Sequence, residues 1–299
     1  MALLVAVLLL TGVAIPALAA TSYPLTAQDA LGVTRTLPSE PRRIISLVPS
    51  ITEDLCAIGA CDRLVGVDDY SDYPESVRRL PRLGGVYDPN PERILALEPD
   101  LVLLSKYGKL AQTLSQAGVT VFVMETERFE HIFDNIETLG LLLDRQAEAR
   151  ALNERLRAEV SRIAASVAGR PRPTVYYEID ETPYSVGPDS FIGTLLEKAG
   201  GRNVVPASLG TFPKISPELV IAADPDVILL GDAPYGVTPQ KLASRPGWSR
   251  LRALREGRVV ALTQAQVDVL NRPGPRVVEA LRFLVEALHS TGKRAASGP

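Results

Sequence analysis

Short apolar runs alternate with amphipathic stretches along most of this chain. Residues 43–48 (Arg-Ile-Ile-Ser-Leu-Val) form a β-rich run that Pro49 and Ser50 close. Ser50 followed by Glu53 has capping-box spacing, which predicts a helix running to about Ile58 and stopped by Gly59. Residues 64–67 predict a second short strand. The alternation continues with helix 91–97, strand 101–104, helix 109–117 and strand 119–124. Strands separated by helices predict a mainly parallel sheet covered on both faces. Residues 22–41 read as an extended lead-in that turns at Leu31-Gly32. From about 129 to 167 the chain is rich in Leu, Ala, Glu and Arg, with Gly140 as its one glycine and no proline. This predicts a single long helix, strongest over 138–168, ended by Arg170-Pro171-Arg172-Pro173. Beyond it the pattern resumes, with strands at 174–179, 227–230 and 258–262 and helices at 191–199, 217–222 and 275–288.

The periodicity conceals an internal repeat. Residues 91–104 (PERILALEPDLVLL) align without a gap on residues 217–230 (PELVIAADPDVILL). Each copy lies in a half built from a strand, a loop ending in Ser50 or Ser190, a helix and a terminal glycine. The expectation is an α/β protein of two lobes, 22–137 and 169–290, each with a mainly parallel sheet, joined by one backbone helix at 138–168. A ligand cleft between the lobes follows, because pockets favour domain interfaces and the carboxyl ends of parallel strands.

The N-terminus changes where such a protein would work. Residues 2–18 are apolar and uncharged, broken by Gly12 and Pro16, and Ala17-Leu18-Ala19 has the small-x-small form of a cleavage site. Residues 1–19 therefore read as a signal peptide, although no Lys or Arg follows Met1, and the mature chain is expected outside the cytoplasmic membrane. Residues 291–299 read as a disordered tail. The formal charge of -3 and the pI near 5.6, with basic residues dispersed, argue against a nucleic-acid partner. The two cysteines, Cys56 and Cys61, five apart, fit either an export-compatible disulfide or two small buried thiols.

Three groups of residues are candidates for function. Glu92 and Glu218 each follow a proline at a helix start, behind Asn90 or Ser216. A carboxylate there favours the helix dipole, and the same rigid frame displays matching acidic knobs to a two-fold symmetric partner. Tyr70, Tyr73, Tyr87, Tyr107, Tyr184, Phe212 and Tyr235 fall in loops after strands, where they either pack locally or line a cleft for a flat ligand. Asp268, Asn271 and Arg272 lie in a polar stretch, read as a loop, before the last helix. Catalysis is not expected. The two histidines, His131 and His289, have no nucleophile motif beside them, the Gly84-Gly85 and Gly200-Gly201 pairs make no phosphate loop, and no His/Asp/Glu cluster has metal-ligand spacing.

The run from Arg43 to Glu53, Tyr70-Ser71-Asp72-Tyr73-Pro74, Pro91-Glu92-Arg93-Ile94 and the Pro217-Glu218 repeat together resemble the periplasmic-binding family for cobalamin, iron-siderophores and haem. The resemblance spans about residues 22–290 and is nearest the branch serving cobalamin importers. It implies a class III substrate-binding protein, a monomer that delivers its ligand to the permease dimer of an ABC importer. It also implies that Glu92 and Glu218 dock on that permease, and that Tyr70 lies against the corrin. Asp268 and Arg272 correspond to polar residues of the second lobe's binding loop, and Phe212 stands where the family carries a tryptophan. Val86 and Ser105 replace two further tryptophans, with Tyr87 and Tyr107 beside them. Cobalamin is thus the expected cargo, with no resident cofactor. Haem, which a tyrosine could ligate, and a ferric siderophore are the alternatives within the family. A ligand-sensing domain without transport is the alternative outside it.

Overall fold

The computed structural model describes residues 20–85, 87–106 and 110–290. The expected signal peptide at 1–19, the tail at 291–299, and Tyr107 lie outside the described residues. The first lobe opens with an antiparallel hairpin of β1 (Leu25–Gln28) and β2 (Thr34–Leu37), turning at Leu31-Gly32. There follow β3 (Ile44–Ser46), α1 (Pro49–Ala57), β4 (Leu64–Val67), α2 (Pro91–Ala96), β5 (Leu101–Ser105), α3 (Ala111–Gln116) and β6 (Val121–Met124). The four later strands form a parallel sheet in the order β4-β3-β5-β6. Alternate side chains enter different cores: Ile44, Leu101, Leu103 and Phe122 point to one face, Ile45, Val102, Leu104 and Val121 to the other. This period of two explains why the strands read as unbroken apolar runs.

Two helices, α4 (His131–Leu142) and α5 (Gln146–Ser166), lead to the second lobe. That lobe contains β7 (Thr174–Asp180), β8 (Tyr184–Ser185), α6 (Phe191–Lys198), β9 (Arg202–Asn203), α7 (Pro217–Ala223), β10 (Val227–Leu230), α8 (Pro239–Ser244), α9 (Arg252–Arg255), β11 (Val259–Ala261), α10 (Gln264–Asn271) and α11 (Val277–His289). Its parallel core is β9-β7-β10-β11, and β8 adds antiparallel to the outer end of β7.

The sequence repeat is a repeat of local structure. Asn90 Oδ1 accepts from Arg93 N at 2.9 Å, and Ser216 Oγ accepts from Leu219 N at 3.2 Å, so each copy caps its helix from the same position. Glu98 and Asp224 both take left-handed φ, 46° and 40°, at the turn into the next strand. Two residues on, Asp100 accepts from the backbone N–H of Arg42 and Arg43, and Asp226 from that of Thr174. Each aspartate thereby ties the start of its lobe's repeat strand to the strand next to it.

Three expectations need correction. The single helix over 138–168 is broken. The long backbone helix is α5, and residues 138–142 belong to α4, which folds back along it. Asp144 takes a left-handed φ of 56° and Arg145 N donates to Gly140 O at 2.8 Å, which closes α4 as a Schellman turn without a glycine at its hinge. Gly140 makes the crossing possible, since a Cβ there would lie 2.6 Å from that of Ala149. Burying Leu139, Leu142 and Leu143 with Leu152 and Leu156 outweighs the propensity to continue. Second, Ser50 and Glu53 do not form a capping box. Val48 is the N-cap and makes no side-chain bond, while Glu53 faces the other lobe. Third, Asp268 stands on a helix rather than in a loop, because Thr263 and Gln266 form the capping box that starts α10.

Within α1, Asp54 is fully buried and neither carboxylate oxygen has a partner. Burial, aided by the adjacent Glu53 charge, pushes its carboxyl well above the usual 3.8. The folded state therefore holds a proton that the unfolded chain releases, and stability falls as pH rises above that value. Leucine has the same heavy-atom shape. Asp54→Leu is expected to raise stability near neutral pH by about 1–3 kcal/mol, with a smaller gain in acid. Urea unfolding across pH checks this, and a pH-independent difference would contradict it.

Candidate functional site

Both sheets direct the carboxyl ends of their parallel strands toward the interlobe space, and the loops leaving those ends build its rims. On the first lobe the loop after β4 is tightly held. Asp68 Oδ1 accepts from Tyr70 N at 2.8 Å, and Asp68 Oδ2 accepts from Ser71 Oγ. The chain of hydroxyls continues through Thr52, 2.9 Å from Ser71, to Ser46 of β3. Burial raises the Asp68 carboxyl, while the Ser71 hydroxyl and Tyr70 N–H oppose that shift. Arg82 donates to the Asp68 and Ser71 carbonyls and clamps the loop from below. This polar base fixes the backbone and leaves the Tyr70 ring 63% exposed; the ring of Tyr87, beyond Gly84-Gly85, is exposed as well.

On the second lobe, Tyr184 sits on β8, antiparallel to β7. The segment carrying Phe212 runs alongside: Ser185 N donates to Pro213 O at 3.0 Å and Gly187 N to Thr211 O at 2.8 Å. Only glycine fits at 187, since a Cβ would lie 1.9 Å from Gly210 O. Tyr184 and Phe212 are thus brought to one rim, both exposed, with Tyr235 exposed beyond β10. The described sequence-predicted aromatics therefore divide between the lobes, Tyr70, Tyr73 and Tyr87 on the first against Tyr184, Phe212 and Tyr235 on the second.

Arg272 and Asp268 stand at the junction of the two lobes. Arg272 reaches across to the first lobe, donating to Asp72 at 2.7 Å, Glu53 at 3.2 Å and the Tyr70 carbonyl at 3.0 Å. Asp268 pairs with the same guanidinium at 3.3 Å. Arg276 completes the junction with two bonds to Glu53, at 2.8 and 2.6 Å, and lies over the Tyr73 ring at 4.3 Å. The arginine beside it holds the Asp72 carboxyl below the usual range against the opposing effect of burial. These residues staple the lobes together and position the Tyr70 loop. Neither Glu53, expected only in a capping box, nor Arg276 was expected at a contact between lobes. The one cue was the acidic pair Glu53-Asp54 within α1, with two arginines four apart, Arg272 and Arg276, just before the last helix.

A second junction lies near the crossover. Phe191 N donates to Glu127 O at 2.9 Å, and Phe129 stacks on Phe191 with centroids 6.4 Å apart. Lys106 pairs with Glu125 at 3.0 Å and Glu127 at 2.8 Å. With α4 and α5 packed antiparallel, the lobes are held at several separated points, which favours small closure motions. Below the second rim, Glu178 is buried and paired with Arg245, and Asp232, two residues beyond β10, lies beside the Glu178 carboxylate.

Glu92 and Glu218 are exposed in the first turns of α2 and α7. Each helix runs back from the carboxyl edge of its sheet, so both carboxylates stand on the cleft side, one per lobe. The sulfurs of Cys56 and Cys61 lie at bonding distance and close the end of α1. A cavity of about 480 Å³ lined by Arg170, Arg172, Arg258 and His289 lies at the opposite, amino-terminal end of the second sheet, away from the rims. Among the described residues no helix is long and apolar enough to cross a membrane.

The family model for periplasmic binding proteins matches residues 44–265. A cobalamin-binding protein of Halobacterium salinarum is 32% identical over 285 residues, covering 91% of this chain and 76% of that protein. The periplasmic vitamin B12 binding protein of Vibrio cholerae superposes with a TM-score of 0.70 at 28% identity, covering 83% of this chain and 96% of its own. The apo form of a periplasmic heme-binding protein from Roseiflexus sp. RS-1 superposes with a TM-score of 0.73 at 29% identity, covering 84% of this chain and 98% of its own.

Proposed function

Because this chain belongs to the periplasmic binding protein family, we propose that it captures a cobalamin-type corrinoid between its lobes outside the cytoplasmic membrane and delivers it to the permease of an ABC importer. The observation that carries the ligand choice is the pairing of the cations at the two interlobe junctions. Arg272 is committed to Glu53, Asp72 and Asp268, Arg276 to Glu53, and Lys106 to Glu125 and Glu127. Haem carries two propionate carboxylates, and many ferric siderophores are anionic. Pairing either with those arginines or with Lys106 would require breaking ion pairs that already hold the lobes together. A corrinoid presents a broad ring edged by neutral carboxamides. It suits exposed aromatic faces with carboxylates and backbone groups around them.

The cleft acts by capture alone. Rim tyrosines and Phe212 cover the ring faces at low entropic cost, because each has few torsions to fix. The stapled lobes keep the rims at a set spacing, so little ordering is needed on binding. Glu92 and Glu218, on the same edge as the open cleft, engage the two halves of the permease.

Calorimetric titration with cyanocobalamin, haemin and a ferric hydroxamate tests this reading. One equivalent of cyanocobalamin is expected to bind, with Tyr70→Ala weakening it on the order of tenfold, the scale of one aromatic contact. Binding of haemin without cyanocobalamin would overturn the ligand choice. The relation to heme binders of similar fold makes haemin the informative competitor.

A further inference from the structure

Leu95 and Ile221 break the amphipathic pattern of their helices in the same way. On α2, Ile94 and Leu97 turn inward to the sheet, and on α7, Val220 does the same. Leu95 and Ile221 face out, and each is 37% exposed. They occupy equivalent positions of the 91–104 and 217–230 repeat, three residues after Glu92 and Glu218. That spacing puts each aliphatic side chain on the same helix face as its glutamate. Each N-terminal turn is set by a capped, proline-started helix, so the two-residue patch is rigid in both lobes.

A single exposed leucine needs no explanation. The same carboxylate–aliphatic pair at repeat-equivalent positions of two lobes does. We propose that Glu92–Leu95 and Glu218–Ile221 form two copies of one composite docking patch, in which an aliphatic knob seals the ion pair made by its glutamate. The occupant is a two-fold symmetric membrane permease presenting, on each subunit, a cation beside an apolar socket. This rests on the transport reading above and adds the apolar half of the contact. Charge argues against a second copy of this chain as the occupant, since such a pairing would bring glutamate against glutamate. The apolar residue supplies what the carboxylate lacks. An exposed ion pair is worth little in water, and excluding water beside it strengthens it.

Photoreactive benzoylphenylalanine placed at position 95 or at position 221 of the full chain, in cells of the source organism, provides the test. Both positions are expected to cross-link to the same membrane subunit through the same peptide of that subunit. Capture of different proteins, of a second copy of this chain, or of nothing would overturn the proposal. A second arm reads uptake of labelled cyanocobalamin. Leu95→Ser with Ile221→Ser is expected to reduce docking on the order of tenfold per side chain, with cyanocobalamin affinity and thermal midpoint unchanged. If Glu92→Gln with Glu218→Gln abolishes uptake while the serine pair does not, the aliphatic half fails and the transport reading stands. If neither pair affects uptake and neither position cross-links, the transport reading fails too.

Discussion

Glu53→Ala is expected to lower stability by about 3–5 kcal/mol and to loosen the two lobes. Glu53 is 2% exposed and accepts three bonds from two arginines of the other lobe. Alanine leaves Arg276 with the Tyr73 ring and the more distant Glu279 charge, and leaves Arg272 dependent on Asp72 and Asp268. The penalty arises less from the lost attraction than from a guanidinium stranded away from water. Because Arg272 also donates to the Tyr70 carbonyl, ligand capture should weaken together with stability. Urea unfolding gives the midpoint, and spin labels on the two lobes give the distribution of interlobe distance, which should broaden. Glu53→Gln keeps hydrogen-bond acceptance without the charge and should fall between. An unchanged midpoint and distance distribution in the alanine variant would show that α5 and the Phe129–Phe191 contact alone set the lobe spacing.

Glu178→Ala is the second large effect, also about 3–5 kcal/mol, and it acts inside one lobe. Glu178 is fully buried on β7 and takes a bidentate pair from Arg245 at 2.6 and 2.8 Å, with Tyr176 donating at 3.0 Å. Arg245 in turn lies over Trp248, 4.8 Å from the ring, so the lesion should reach the apolar core around that tryptophan. A titration distinguishes this mechanism from a plain cavity. Burial, reinforced by the Glu178 charge, pushes the Asp232 carboxyl up to about 7. The Asp232 contribution to wild-type stability therefore declines as pH rises from 3.8 toward that value, since the folded state holds the extra proton. Without the Glu178 charge the Asp232 carboxyl should titrate lower and the decline should shrink. Carboxyl carbon NMR of Asp232 and urea unfolding across pH report both. An Asp232 titration that does not move would sever the link between the two groups.

These two residues illustrate what was open to reading in the chain and what was not. The two-lobed α/β architecture was accessible because parallel-sheet strands, buried on both faces, leave continuous apolar runs, and because caps and terminal glycines punctuate the helices. The 91–104 and 217–230 repeat carried its own structure, down to the caps and the left-handed turns, since those depend on neighbours within a few residues. Tyr70 and Phe212 stand in loops, as expected from local pattern, whereas Tyr184, also expected in a loop, pairs on β8 with β7. The interlobe contacts of Glu53 and Arg272 did not follow from that pattern.

Local pattern determined the elements, their order, the repeat and the positions at which Glu92 and Glu218 stand. Only the tertiary structure decided that α4 folds back on α5 at Asp144, because burial of Leu139, Leu142 and Leu143 against α5 overrides a helix propensity that nothing nearby interrupts. It alone decided that Glu53 meets Arg276, a pair 223 residues apart in sequence, and that Arg272 reaches across to Glu53 and Asp72 of the first lobe. Ion pairs between lobes depend on where two separately folded surfaces meet, and no periodicity along the chain encodes that distance.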